Sequence, residues 1–119
     1  MRTDAMLEMK YGVTVGNLDT NGYAKSIMQT DTEQCLMCGN RNGSQLCRHE
    51  VCYGTSDRRK SKAMGLWVRI CGSGCGCNAH HLAHNNKNII DNLHRKAQKA
   101  CDREYGEGTF FRVFGRNYL

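Results

Sequence analysis

Eight cysteines stand in this chain of 119 residues, and seven of them fall between Cys35 and Cys77. A chain of this length buries only about two-thirds of the surface it exposes when unfolded, and a hydrophobic share of 39% leaves little margin for a core. Cross-links must help to hold the fold, and the cysteines offer disulfides or a metal. No stretch approaches the roughly 20 consecutive apolar residues of a membrane span, and the first ten residues lack the apolar run of a signal peptide. The expectation is a soluble, intracellular chain, where thiols stay free unless a metal takes them, which favours zinc over disulfides. A net charge of +6 suits a nucleic-acid partner and is also common without one.

The length fits one domain with an appendage. Residues 1–22 read as that appendage: 10–15 (KYGVTV) as a short strand, then turn chemistry in 16–22 (GNLDTNG). Residues 23–29 read as a second strand or an extended lead-in. The stretch 66–70 (LWVRI) alternates, is β-branched and runs directly into Cys71, which predicts a strand. Residues 48–53 (RHEVCY) predict another. From Ile89 the period changes: Ile90, Leu93, Ala97, Ala100 and Cys101 share one side of a helix that ends near Tyr105, ahead of Gly106 and Gly108. Thr109 is placed to cap a last short helix carrying Phe110, Phe111, Val113 and Phe114, with the phenylalanines read as core.

Cys35 and Cys38 are separated by two residues and followed by Gly39, the spacing of half a zinc knuckle. The glycine-rich run Cys71, Cys75, Cys77 offers the other half. The expected structural zinc set is Cys35, Cys38, Cys71 and Cys75, with Cys77 left open between ligand and bystander. Cys47, Cys52 and Cys101 have no partner at ligand spacing and read as buried thiols. His80 and His84 are four apart, so on a helix both imidazoles project from one face and can share a divalent ion, with His81 as a nearby substitute. His49, beside Glu50, supplies the third ligand. Two or three protein ligands leave positions for water and a phosphate oxygen, as hydrolysis requires. His94 falls on the polar side of the later helix, apart from this set. Arg58, Arg59, Lys60 and Lys62 put four positive charges in five residues between the halves of the metal region, where a phosphate backbone is the expected partner.

The order of these motifs carries a family resemblance. Cys35-x-x-Cys38-Gly39, the run from Arg48-His49-Glu50 through Arg58-Arg59-Lys60-Ser61, Gly65-Leu66-Trp67 up to Cys71, and the C-terminal stretch from Gln98 to Phe114-Gly115-Arg116-Asn117-Tyr118-Leu119 resemble the small HNH endonuclease-like proteins of phages and prophages. The likeness covers about residues 24–119 and divides the chain into a variable extension, 1–22, and an HNH-like domain, 23–119. It implies an α+β fold of the ββα-metal (His-Me finger) kind, stapled by zinc and followed by C-terminal helices. It implies His49 as a metal ligand, Glu50 as the general base or a second ligand, and His84 as the last histidine of the site. Departures from the pattern are Cys71-x-x-x-Cys75 with a histidine only at His80, Glu50 where many relatives have His, and Asp57 where many have Asn.

The function implied is a phage-encoded endonuclease that hydrolyses phosphodiester bonds in DNA in the bacterial cytoplasm. Its cofactors would be a structural Zn²⁺ and a catalytic Mg²⁺, Mn²⁺, Ni²⁺ or Zn²⁺, and its partners DNA, no membrane, and a second copy or another phage protein. The competing expectations are a catalytically silent zinc module that binds DNA or a protein, and a structural zinc protein of phage assembly.

Overall fold

The computed structural model describes residues 2–119. Its organising unit is an antiparallel pair, β1 (Leu46–Glu50) and β2 (Trp67–Cys71), in the register Leu46↔Cys71, Arg48↔Arg69, Glu50↔Trp67. The apolar 66–70 run does become a strand, with Val68 and Ile70 fully buried, because a strand covered on both faces reads as a nearly continuous hydrophobic run. The predicted 48–53 strand forms two residues earlier and stops at Glu50; the Val51 amide still donates to the Leu66 carbonyl at 3.1 Å before the chain bends toward α2.

No tight turn joins the strands; α2 (Asp57–Ala63) lies between them. The return from α2 into β2 is closed by Ser61, whose hydroxyl donates to the Leu66 carbonyl at 2.6 Å and accepts from the Cys52 amide at 3.2 Å. Gly65 belongs here by necessity. Its φ of +76° is left-handed, and a Cβ would sit 2.4 Å from the Lys25 carbonyl oxygen.

Three helices follow: α3 (Ala79–Asn85), α4 (Lys87–Tyr105) and α5 (Thr109–Phe114). The α4 face predicted from periodicity buries Leu93, Ala97, Ala100 and Cys101. Asn86 caps it, accepting the Ile89 amide at 3.2 Å. Gly108 rather than Thr109 occupies the cap of α5; Thr109 is its first residue and donates to the Tyr105 carbonyl at 3.1 Å. Phe110 and Phe114 are buried, whereas Phe111 is 58% exposed, so the three phenylalanines are not all core.

The N-terminal segment differs most from the expectation. Residues 3–11 form a helix, α1 (Thr3–Tyr11), where a strand over 10–15 was predicted, and Gly12 ends it in the left-handed region. Packing decides the matter, since Leu7 is fully buried and Val13 is 2% exposed within the common hydrophobic cluster. Residues 19–22 are also engaged: Asp19 pairs with Arg48 at 2.9 Å, and the Lys62 ammonium donates to the Asn21 carbonyl. Residues 23–29 form no strand but run beside the sheet, with the Ala24 amide on Lys62 and the Trp67 indole donating to the Ala24 carbonyl at 2.8 Å. An integral segment has a measurable consequence. Leu7→Ala is expected to cost about 2–5 kcal/mol in chemical denaturation, whereas a detachable extension would leave the midpoint unchanged.

Among the described residues no helix is long and apolar enough to cross a membrane.

Candidate metal centres

The Cys35–Cys38 turn is shaped by its own backbone. The Gly39 amide donates to the Cys35 carbonyl at 2.9 Å, and Gly39 takes φ +76°, the left-handed conformation glycine adopts without steric cost. Burial raises the Cys35 thiol, but the amides of Cys38, Cys71 and Met37 aimed at it prevail and bring it down to about 7. A sulfur solvated by amides in this way is prepared to be a thiolate ligand.

Opposite this turn, β2 delivers Cys71 at its end and the following loop delivers Cys77. The sulfurs of Cys35, Cys38, Cys71 and Cys77 all lie within 4.8 Å of one another, with Cys35 to Cys77 at 3.9 Å and Cys38 to Cys71 at 3.6 Å. A tetrahedral zinc with Zn–S bonds of about 2.3 Å holds its sulfurs about 3.8 Å apart, so the donor set and its spacing fit that ion. Cys77, left open by the sequence, completes the mutually close set, and Cys75, the expected fourth member, stands beside it, 3.7 Å from Cys38. The cause is the loop path. Two glycine-rich residues more let the chain turn back before α3 begins, and the spacing rule, which favours the nearer cysteine, does not register that. Cys47, Cys52 and Cys101 stay outside the cluster, and burial pushes Cys52 and Cys101 up to about 12, the condition of inert thiols.

A second group forms where β1 meets α3. His80 and His84, one turn apart on α3, face each other with 3.1 Å between their Nε2 atoms. His49 comes from β1, 3% exposed, with its ring centroid 4.8 Å from that of His84 and 5.5 Å from that of His80. All three histidines offer a ring nitrogen within 4.8 Å of the others. Zn–N bonds of about 2.0–2.1 Å place tetrahedral nitrogens about 3.3 Å apart, so the His80–His84 spacing suits one divalent ion. Burial, then the neighbouring His84 and His80, hold His49 down to about 4, and burial also lowers His84. Neutral imidazoles keep a lone pair for a metal. His81 instead meets Asn85 on the exposed side of α3, and His94 stacks on Tyr118 at 4.3 Å.

Glu50 follows His49 but lies outside the histidine group. Its Oε1 is 4.0 Å from the Arg58 guanidinium, and its charge reaches His84. The basic run divides. Arg58 and Arg59 are exposed at the start of α2. Lys60 is 8% exposed, donates to the Val113 carbonyl at 2.7 Å and pairs with Asp57 at 3.2 Å. Lys62 lies over the Tyr23 ring at 4.7 Å. Lys60 is thereby turned into the fold, joining α2 to α5, whereas Lys62 stays half-exposed beside the N-terminal segment, where its ammonium donates to the Asn21 carbonyl. A helix of seven residues must turn one side inward, and Lys60 falls on that side with Ser61 and Ala63, whereas Arg58 and Lys62, four apart, share the other.

Tyr53 went unnoticed in the sequence, since a tyrosine four residues after a histidine carries no distinctive signal. Its ring lies 5.1 Å from that of His84. Comparison with family models, with curated proteins and with solved structures finds no match for this chain.

Proposed function

We propose that this protein is a metal-dependent endonuclease of the HNH kind, phage-encoded, hydrolysing phosphodiester bonds in DNA in the bacterial cytoplasm. The observation that carries the reading is the meeting of His49 with His80 and His84, donors from a strand and a helix, within 4.8 Å of one another. Strand β1, then α2, strand β2 and helix α3 follow in chain order, which supports the reading of a ββα-metal unit with a helix between its strands and the four-cysteine group at the end of β2 as its staple.

In this reading His49, His80 and His84 hold the catalytic ion, which supplies Lewis-acid stabilisation of the charge developing on the scissile phosphate and leaving oxygen. His49 is fixed by burial, whereas His84 is exposed and leaves the solvent side of the group open to a phosphate. Glu50 takes the proton of the attacking water as general base. Arg58 and Arg59 hold the adjacent backbone by charge.

The buried Lys60 favours a second reading, because it shortens the basic run available to DNA: a zinc module that binds without cutting. Incubation with supercoiled plasmid and Mg²⁺, Mn²⁺, Ni²⁺ or Zn²⁺ in turn separates the two. Nicking that depends on the ion is expected; binding with no cleavage under any ion selects the silent module. The division of the basic run has its own test in the salt dependence of DNA affinity. Arg58→Ala and Arg59→Ala should each reduce the slope by about one, and Lys60→Ala should leave the slope unchanged while lowering stability by about 1–3 kcal/mol. A slope that responds to Lys60 alone would reverse the assignment.

A further inference from the structure

Next to the histidine group lies a cavity that the hydrolytic chemistry does not use. It measures about 180 Å³ and is lined by Tyr53, Asp57, His94, Arg116 and Tyr118 over the phenylalanines of α5. Tyr53 is the link between the two places, since it lines the cavity and sits 5.1 Å from the His84 ring. The opposite wall is held rigidly. Tyr118 stacks nearly parallel on His94 at 4.3 Å, and its amide donates to the side-chain oxygen of buried Gln98 at 2.6 Å. The same Gln98 amide group donates to Asn117 at 2.9 Å.

We propose that this cavity receives an unpaired pyrimidine base of the DNA strand bound at the histidine centre. Size comes first. A cavity of about 150 Å³ accommodates benzene, so about 180 Å³ takes one six-membered ring with its substituents. The aromatic lining supplies stacking surface, which is how proteins hold bases taken out of the helix. The polar groups match an edge. Asp57, whose Oδ1 pairs with Lys60 at 3.2 Å, keeps its other carboxylate oxygen as an acceptor for an exocyclic amino group, and Arg116, exposed and without an ion pair among the described residues, is a donor for ring nitrogen and carbonyl oxygen. Cytosine presents that combination. A paired base in a duplex cannot enter such a cavity, so the substrate is DNA with an unpaired or extrudable pyrimidine. The placement of the base beside a scissile phosphate rests on the nuclease reading; binding of the base does not.

Two measurements test this. In the first, His84→Ala protein loaded with structural zinc is titrated against labelled duplexes that carry one bulged cytosine, one bulged adenine or no bulge. The bulged cytosine duplex is expected to bind about tenfold tighter than the other two. Arg116→Gln and Tyr53→Ala should bring that ratio to about one, and because the ratio is read, a general loss of charge attraction cancels. Equal affinities in the parent protein overturn the proposal. In the second, the full-length protein is titrated with deoxycytidine monophosphate and, separately, deoxyadenosine monophosphate while the ring NMR signals of His94 and Tyr118 are followed. Shifts with the cytidine nucleotide alone support the cavity assignment even if plasmid is never cut, in which case the nuclease reading fails by itself. No shift with either nucleotide overturns the assignment, whatever the cleavage result.

Discussion

With zinc as the proposed occupant of the four-cysteine group, Cys38→Ser is expected to release that ion and unfold the domain. A structural zinc contributes apparent binding free energy of about 10–16 kcal/mol, as large as the whole stability of about 5–15 kcal/mol typical of a domain. The site ties together the Cys35–Cys38 turn, the end of β2 and the loop before α3, which otherwise meet through a few hydrogen bonds, such as the Leu36 amide on the Arg69 carbonyl at 2.9 Å, and through shared core packing. Removal of one of four thiolates leaves three ligands and an adjacent hole at the surface, where Cys38 is exposed. Zinc content measured beside far-UV circular dichroism reads the outcome. Cys77→Ser should behave like Cys38→Ser, whereas Cys75→Ser should keep one zinc per chain and a cooperative melt, because Cys75 lies outside the mutually close set. A folded, zinc-replete Cys38→Ser protein would remove the cysteine centre from the account.

The second large effect belongs to the histidines. His49→Ala should lower plasmid cleavage by about a hundredfold or more, with the four-cysteine zinc retained, because it takes a ligand from the ion and opens the site to water from below. Glu50→Gln separates the base from the ligands: a loss of about 10²–10⁴-fold in cleavage is expected with no change in the metal content. The fold serves as the control. His49 is buried beneath the sheet, so its truncation also lowers stability by a few kcal/mol at most, and cleavage has to be compared well below the melting point. Cleavage undiminished in both variants would move the chemistry elsewhere on the molecule.

How much of this was legible in the sequence follows from how local each signal is. The α4 helix was read from its period, because burial repeats every 3.6 residues whatever lies nearby, and the β2 strand from its apolar, β-branched run, which is buried on both faces. The His80–His84 pair was read correctly as sharing one side of a helix, since a spacing of four is a local fact, and His49 joins them across the fold. Cys77 against Cys75 was not legible. Both follow Cys71 in a glycine-rich run, and the choice is made by the path of a loop held at one end by Gln45, whose carbonyl accepts the Gly72 amide at 2.7 Å. The N-terminal helix was missed for the same reason. Its one fully buried side chain, Leu7, gains its partners from residues far along the chain, and a nine-residue helix with little amphipathic pattern takes its stability from that packing. Lys60 shows the same effect in charge. A basic run looks uniform as a string, and only the packing of α2 between α1 and the strands decides which members face water.

The central claim is that the three-histidine group cuts DNA, and the most direct measurement is conversion of supercoiled plasmid to the nicked form by zinc-loaded wild-type protein and by His84→Ala prepared alongside it. His84 is exposed and contributes little to the core, so its truncation leaves the fold and the cysteine zinc in place. The account predicts ion-dependent nicking by the wild type and none by His84→Ala. Equal nicking by both proteins, or none by either under every ion with the zinc still bound, would contradict it.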